Sequence, residues 1–161
     1  MKETLVELFV TYAHTIIFIH VLSALIWVGG MIAIRLAVHP ALMSISDTKL
    51  RIKKLLAITG RFFNIVIPFI TLLLITALIM AMGMKFNGTS YIVHIKEGIW
   101  TVMTLNFIVM YIIRGKAQKF FDNNQLADAK LTLVIIPKVL LPINIVLGIV
   151  ALWLGVSLRG F

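Results

Sequence analysis

The chain has 161 residues, of which 61% are hydrophobic and 13% charged, and its formal net charge is +9. A soluble domain of this length interleaves polar and apolar residues, whereas here the charges are gathered between long apolar runs, so water is not its main solvent. The sequence contains no cysteine, which excludes disulfides, thiolate metal sites and iron–sulfur clusters held by thiolates.

Four apolar runs follow one another along the chain, each long enough for the roughly 20 residues that cross a hydrocarbon core. They cover residues 8–34, 62–84, 91–113 and 131–158. Helices are predicted for all four, because a lipid-facing backbone must satisfy its own hydrogen bonds and the alternating segments of a barrel are absent. We therefore predict an all-α fold, a single domain over residues 1–161 that forms a membrane bundle of four transmembrane helices.

The first run carries His20 near its middle. At about 100° per residue, Trp27, Met31 and Arg35 lie within about 60° of His20 on one helix face. An ionisable residue inside a membrane segment is costly, so this face is predicted to point into the bundle and to serve a function. The alternative is a structural histidine that bonds to a serine or threonine of a neighbouring helix.

The segment between the first and second runs, residues 47–63, mixes apolar and basic side chains as a helix lying on anionic lipid does. We predict a short interfacial helix here that anchors the chain. Its apolar members are Leu50, Leu55, Leu56 and Ile58.

The second run ends on three methionines, Met80, Met82 and Met84, and His94 follows closely in sequence. Thioethers and imidazole are soft donors that suit Cu(I) in a protein without thiolates, so these methionines are a candidate copper site. The alternative is packing, because a continuous helix does not direct residues at this spacing to one face.

The third run opens with Lys96, which shares a helix face with Trp100, Met103, Phe107 and Met110. This face repeats the arrangement around His20, with one ionisable residue followed by large polarizable side chains. Two such faces can enclose a flat apolar cofactor. In the alternative interpretation Lys96 reaches the interface or pairs with Glu97.

Depth within the membrane distinguishes two pairs of residues that could bind the same cofactor. Counted from residue 8, His20 lies about 18 Å along its run, whereas Lys96 lies about 8 Å from residue 91. Pairing them requires offset helices or a tilted cofactor. His14 and His94 are the rival pair, because each lies only a few residues inside its run.

The basic residues predict the orientation. The first and third connections carry more lysines and arginines than the opposite side of the membrane, so these two connections are expected in the cytoplasm. Both termini are then expected in the periplasm of a bacterial-type inner membrane. They lack aromatic interleaving for base stacking, so no nucleic-acid partner is expected. They are Arg35, Lys49, Arg51, Lys53, Lys54, Arg61, Arg114, Lys116, Lys119 and Lys130.

Two segments of the sequence resemble a known family. HVLSALIWVGG at residues 20–30, followed by RLAVHP at 35–40, resembles the first-helix signature of the copper resistance protein D family. It is also similar to the HemJ-type protoporphyrinogen oxidases, small four-helix membrane proteins with the same His-to-Trp spacing. His94-Ile-Lys96 matches the His-x-Lys that begins the third helix of the HemJ type.

The chain departs from the HemJ type at two places. The Pro-Arg-Leu and Asn-Glu-x-Pro patterns of that type are replaced by IRL at residues 34–36 and LPIN at 141–144. These departures favour the broader copper resistance D grouping over porphyrinogen oxidation.

The resemblance implies a haem-b-binding membrane protein. Under it, His20 and Lys96 are candidate haem ligands, and Trp27 and Arg35 line or steady the porphyrin. We expect the protein to transfer electrons, and the resemblance leaves open whether it does so as a haem-dependent oxidoreductase. The expected partners are the lipid bilayer and a quinone or redox protein. Whether the chain assembles into a homo-oligomer stays open. The alternatives are a copper transporter or copper-tolerance factor without haem, and a structural subunit of a membrane complex.

Overall fold

The computed structural model describes the backbone of residues 2–83 and 90–157 and the side chains of residues 7–81 and 91–157. Four long helices account for almost all of it. Helix α1 runs from Lys2 to Met43, α2 is Thr48–Gly83, α3 is Ser90–Asp122, and α4 runs from Leu126 to Ser157. Each is long and apolar enough to cross a membrane. The predicted all-α bundle of four transmembrane helices is confirmed.

The helices form a ring in which each packs against its neighbour in the chain and α4 closes back onto α1. Helices α1 and α3 therefore face each other across the bundle. Because the connections are short, neighbouring helices are antiparallel. We call the end where α1 begins and α4 ends the terminal end, and the opposite end, where the two connections rich in lysine and arginine lie, the basic end.

The predicted short interfacial helix is not a separate element. Residues from Thr48 onwards form the first turns of α2, a continuous helix of 36 residues. The reason is visible in its buried stripe, because Ile52, Leu56 and Phe63 follow one another at helical spacing and pack into the same core. At about 1.5 Å per residue, α2 is about 54 Å long and extends well beyond a hydrocarbon core of about 30 Å.

The core lies along the bundle axis and is built from one inward stripe on each helix. The Phe107 ring packs edge-on against the rings of Trp27 and Phe63, with centroids 6.3 Å and 5.2 Å apart. The outward faces carry many exposed leucine, isoleucine and valine side chains, which are compatible with contact with a lipid bilayer.

Helix α1 is wider than a regular α-helix in two places. Residues Leu25–Gly29 and Ile34–Val38 are π-helical turns. In a straight α-helix, Leu42 would lie about 80° around the axis from Ile16. Both side chains are nevertheless buried, because the wider turns absorb the difference.

Two polar clusters join α3 to its neighbours. Asn144 of α4 is 0% exposed; its Oδ1 accepts a 2.7 Å hydrogen bond from Nδ2 of Asn106, and its Nδ2 donates to the Met103 carbonyl. At the basic end, the Arg114 guanidinium donates to the Leu56 carbonyl of α2. Such bonds fix the relative positions of helices in an apolar medium.

Candidate cofactor site at the terminal end

His20 faces the bundle and contacts α2. Its Nδ1 lies 2.9 Å from Oγ1 of Thr76, a buried residue. Thr76 belongs to the inward stripe of α2 that also contains Phe63, Val66 and Ile70. The structural alternative foreseen for His20, a bond to a threonine of a neighbouring helix, is therefore present. It uses one of the two ring nitrogens.

Lys96 points from α3 towards the neighbouring helix α4. Its Nζ lies 3.1 Å from the position that a Cβ on Gly155 would occupy. The absence of a side chain at Gly155 thus makes the space that holds the lysine head. Among the described residues no carboxylate forms a salt bridge with Lys96, because Glu97 pairs with His94.

His20 and Lys96 lie at the same depth, and the offset expected from the sequence is not present. A common reference is Gly148, where a Cβ would meet the side chains of Val28 and Met103. From that level towards the terminal end, His20 is about 12 Å away along α1 and Lys96 about 10 Å along α3. The sequence estimate failed because the two apolar runs begin at different depths: residue 8 lies about 30 Å from that level along α1 and residue 91 about 18 Å along α3.

The two residues come from helices that face each other across the bundle. With Thr76 and Gly155, they form a layer to which each of the four helices contributes one residue. We call His20, Thr76, Lys96 and Gly155 the four-helix layer.

Side-chain burial on α3 and α4 decreases at the level of this layer. On α3 no described residue before Met103 is buried, and on α4 none after Gly148 is. Lys96, Trp100 and Gly155 face inward and are only half-buried, whereas Phe107 and Met110, deeper in the same α3 stripe, are buried. Among the described residues, the terminal thirds of α3 and α4 therefore carry no buried side chain, whereas Ile16 of α1 and Thr76 of α2 are buried.

Three polar atoms below this layer have no hydrogen-bond partner among the described residues, although water cannot reach them. They are Nε1 of Trp27, Nε1 of Trp100 and Oγ1 of Thr104. Trp27 is only 1% exposed. Since an unpaired buried donor costs free energy, these groups suit a bound molecule that brings acceptor oxygens or a water bridge.

The rival pair has different surroundings. His14 is exposed on the outside of α1. The side chain of His94 is 76% exposed, and its Nδ1 lies 3.0 Å from Oε2 of Glu97 on the same helix. Neither histidine faces the space between the helices.

Arg35 lies far from the four-helix layer. It is about 22 Å from His20 along α1, in the second π-helical turn, and is half-buried, while its neighbour Ile34 takes the buried position. In a regular helix Ile34 already lies nearer the centre of the stripe that contains His20, about 40° around the axis from that residue, than Arg35 does at about 60°. Trp27, about 10 Å from His20, stays on it.

Of the three methionines proposed for copper, Met80 is half-buried on α2. It lies one turn beyond Thr76 on the same helix face. The side chain of Met82 and all of Met84 lie outside the described residues. Within residues 7–81 and 91–157, no group of three or more His, Asp or Glu side chains could hold a metal ion.

Sequence reasoning missed Thr76 and Gly155. A hydroxyl within the largely apolar stripe of α2 was a usable signal for Thr76, and Thr59 gives the same signal nearer the basic end. No local signal marks Gly155, because its role depends on which residue of α3 lies opposite.

Comparisons with known proteins return no match. No protein-family model, curated protein or solved structure matches the chain. The resemblance to the copper resistance D and HemJ types stays a prediction. The function is therefore inferred from the residues and their geometry.

Proposed function

We propose that this chain is a membrane protein that binds haem b at the four-helix layer and transfers electrons. The observation that carries the proposal is that His20 and Lys96, two nitrogen donors, lie at one depth on α1 and α3, helices that face each other across the bundle. Haem in helical bundles is held by donors on facing helices, and imidazole is its commonest axial ligand.

The surroundings of the pair fit such a group. On α3 before Met103 and on α4 after Gly148, no described side chain is buried. Three buried polar groups without a partner among the described residues, from Trp27, Trp100 and Thr104, lie on the inner side of the four-helix layer, and a bound molecule with acceptor atoms would satisfy them. Lysine coordinates iron only as the neutral amine, and none of the described carboxylates pairs with Lys96 to hold it charged.

Bound haem b would supply an iron that takes up and releases one electron at a time. The chain's own contribution is to hold the two ligands and to exclude water on the inner side of the four-helix layer, where Trp27 and Met103 are buried. A quinone in the bilayer or a redox protein is the partner that this chemistry requires. Arg35 is given no part in holding the porphyrin, because it lies towards the basic end.

The orientation forms part of the proposal. Lysine and arginine at the basic end support a cytoplasmic position for that end and a periplasmic one for both termini, in a bacterial-type inner membrane. The four-helix layer then lies towards the periplasm.

The test is a reduced-minus-oxidised absorbance spectrum of the purified protein after expression with sufficient haem. We expect a Soret band and a sharp alpha band in the wild type, and their loss or strong displacement in His20→Ala. His14→Ala is the matched control, because it removes an exposed histidine from the same helix and should keep the wild-type spectrum. The absence of bands in the wild type, or an unchanged His20→Ala spectrum, would remove the proposal.

A second candidate, Cu(I) binding, is favoured by the position of Met80 on the Thr76 face of α2. Thioether and imidazole together suit Cu(I). Met80→Leu should then abolish Cu(I) binding while leaving any haem spectrum in place, and Met43→Leu, an exposed methionine at the basic end, should change neither. If Cu(I) binding is unchanged in Met80→Leu, and also in the triple variant in which Met82 and Met84 are replaced by Leu as well, these methionines serve only in helix packing.

A further inference from the structure

The contact between Thr76 and His20 has a direction that its geometry determines. Oγ1 of Thr76 lies 2.7 Å from the Leu72 carbonyl of its own helix and 3.2 Å from that of Leu73. A threonine hydroxyl has one hydrogen, and within a helix it commonly donates that hydrogen to the carbonyl four residues earlier. The hydrogen of Thr76 is therefore directed to the backbone, and only its lone pairs face His20.

The bond to His20 must then be donated by the imidazole. A carbonyl can only accept, and the threonine has no second hydrogen, so the hydrogen in the 2.9 Å contact belongs to Nδ1 of His20. A neutral imidazole carries one ring hydrogen. With that hydrogen on Nδ1, the lone pair lies on Nε2.

We infer that Thr76 is a positioning residue that holds His20 in the Nδ1–H tautomer and so makes Nε2 its ligand nitrogen. Histidine ligands of metals commonly donate the second ring N–H to an oxygen, which fixes both tautomer and ring orientation. Here the oxygen comes from a buried hydroxyl on a neighbouring helix, so the packing of α1 against α2 sets the orientation of the ring. The consequence for iron rests on the proposed function, whereas the tautomer does not.

The tautomer is measurable without haem. The chain has four histidines, so histidine labelled with nitrogen-15 in the haem-free full chain, in nanodiscs, gives four ring patterns in long-range proton–nitrogen correlation spectra. Replacing His14, His39 and His94 by Gln, one at a time, assigns the fourth pattern to His20. We expect protonated Nδ1 and bare Nε2 for His20.

Three variants test the role of the hydroxyl. Thr76→Val keeps the shape and removes the oxygen, so the His20 pattern should shift towards protonated Nε2. Thr76→Ser keeps the oxygen and should retain the wild-type pattern. Thr71→Val is the matched control on α2, because Thr71 is exposed and its hydroxyl bonds only to its own helix, at the Ile67 carbonyl; it should leave His20 unchanged.

Haem titration of the same proteins gives the second readout. Loss of the positioning bond should weaken haem binding in Thr76→Val by about 10- to 100-fold, with recovery in Thr76→Ser. Wild-type helicity and elution volume in Thr76→Val show that folding is preserved.

A wild-type His20 with protonated Nε2, or a Thr76→Val pattern equal to that of the wild type, would overturn the inference. If the tautomer result holds and the wild type binds no haem, the proposed function fails and the assignment of Thr76 stands.

Discussion

Nζ of Lys96 on α3 occupies the space that a side chain on Gly155 of α4 would fill, 3.1 Å from the position of the missing Cβ. A residue that carries no chemistry of its own thus decides where an ionisable group can lie. Any side chain at position 155 must compete with the lysine for the same volume.

Gly155→Val is therefore expected to displace Lys96 from the four-helix layer. If Lys96 is a haem ligand, the variant should reproduce the spectrum of Lys96→Leu, which supplies no ligand atom, and bind haem about 10-fold or more weakly. Gly98→Val is the control, because a Cβ at Gly98 would meet nothing within 4 Å. A wild-type spectrum and affinity in Gly155→Val would show that the lysine position is unimportant for haem.

The close approach of α1 and α4 at Gly148 is expected to tolerate no side chain. A Cβ there would lie 2.6 Å from Cγ2 of Val28 and 3.3 Å from Cε of Met103, so Gly148→Ala should lower the free energy of unfolding by about 1–3 kcal/mol. Val28→Ala removes the nearer methyls and should restore part of that loss in the double variant. Unfolding titrations in detergent measure both effects; simple addition of the two single losses would contradict the contact.

Asn144 is expected to stabilise the α3–α4 pair through its bonds to Asn106 and to the Met103 carbonyl. A double-mutant cycle with Asn106→Leu and Asn144→Leu should give a coupling free energy of about 0.6 kcal/mol, with about 1.7 kcal/mol as the upper end for membrane helices. Asn64→Leu, at an exposed position on α2, should leave the free energy of unfolding unchanged. Zero coupling between positions 106 and 144 would argue against the bond.

The orientation is testable by thiol labelling, since the chain has no cysteine of its own. In spheroplasts, a membrane-impermeant maleimide should label Glu7→Cys at the terminal end but not Asn124→Cys at the basic end. Disruption of the membrane should expose both. Labelling of Asn124→Cys in intact cells would reverse the orientation and move the four-helix layer to the cytoplasmic side.

The helices and their inward faces were predictable from the sequence, because the lipid environment imposes both. Apolar length predicts the spans, and helical periodicity places His20 and Lys96 on inward faces, where the structure has them. Their common depth was not predictable, since apolar runs on facing helices need not begin at the same depth. The run that begins at residue 8 extends further past the four-helix layer than the run that begins at residue 91.

Partners across helices were also beyond the sequence. Thr76 lies opposite His20, and Gly155 lies opposite Lys96, because of the axial position of each helix relative to its neighbour. The periodicity of a single helix does not contain this information. The segment after Thr48 has a similar explanation. Its mixed apolar and basic pattern fits a helix on a lipid surface as well as an extension of α2, and only packing against the core distinguishes them.

The π-helical turns of α1 change what this helix can tolerate in the length of its chain. One residue fewer between Ile16 and Leu42 would bring these two within about 20° of each other in a regular α-helix. A single deletion within Leu25–Gly29 can therefore be absorbed by closing the wide turn, with His20 and Met31 still directed inward. The same deletion between Ile16 and His20 would rotate everything on its terminal side by about 100° and turn Ile16 towards lipid. Insertions and deletions in related sequences should accordingly concentrate at the wide turns.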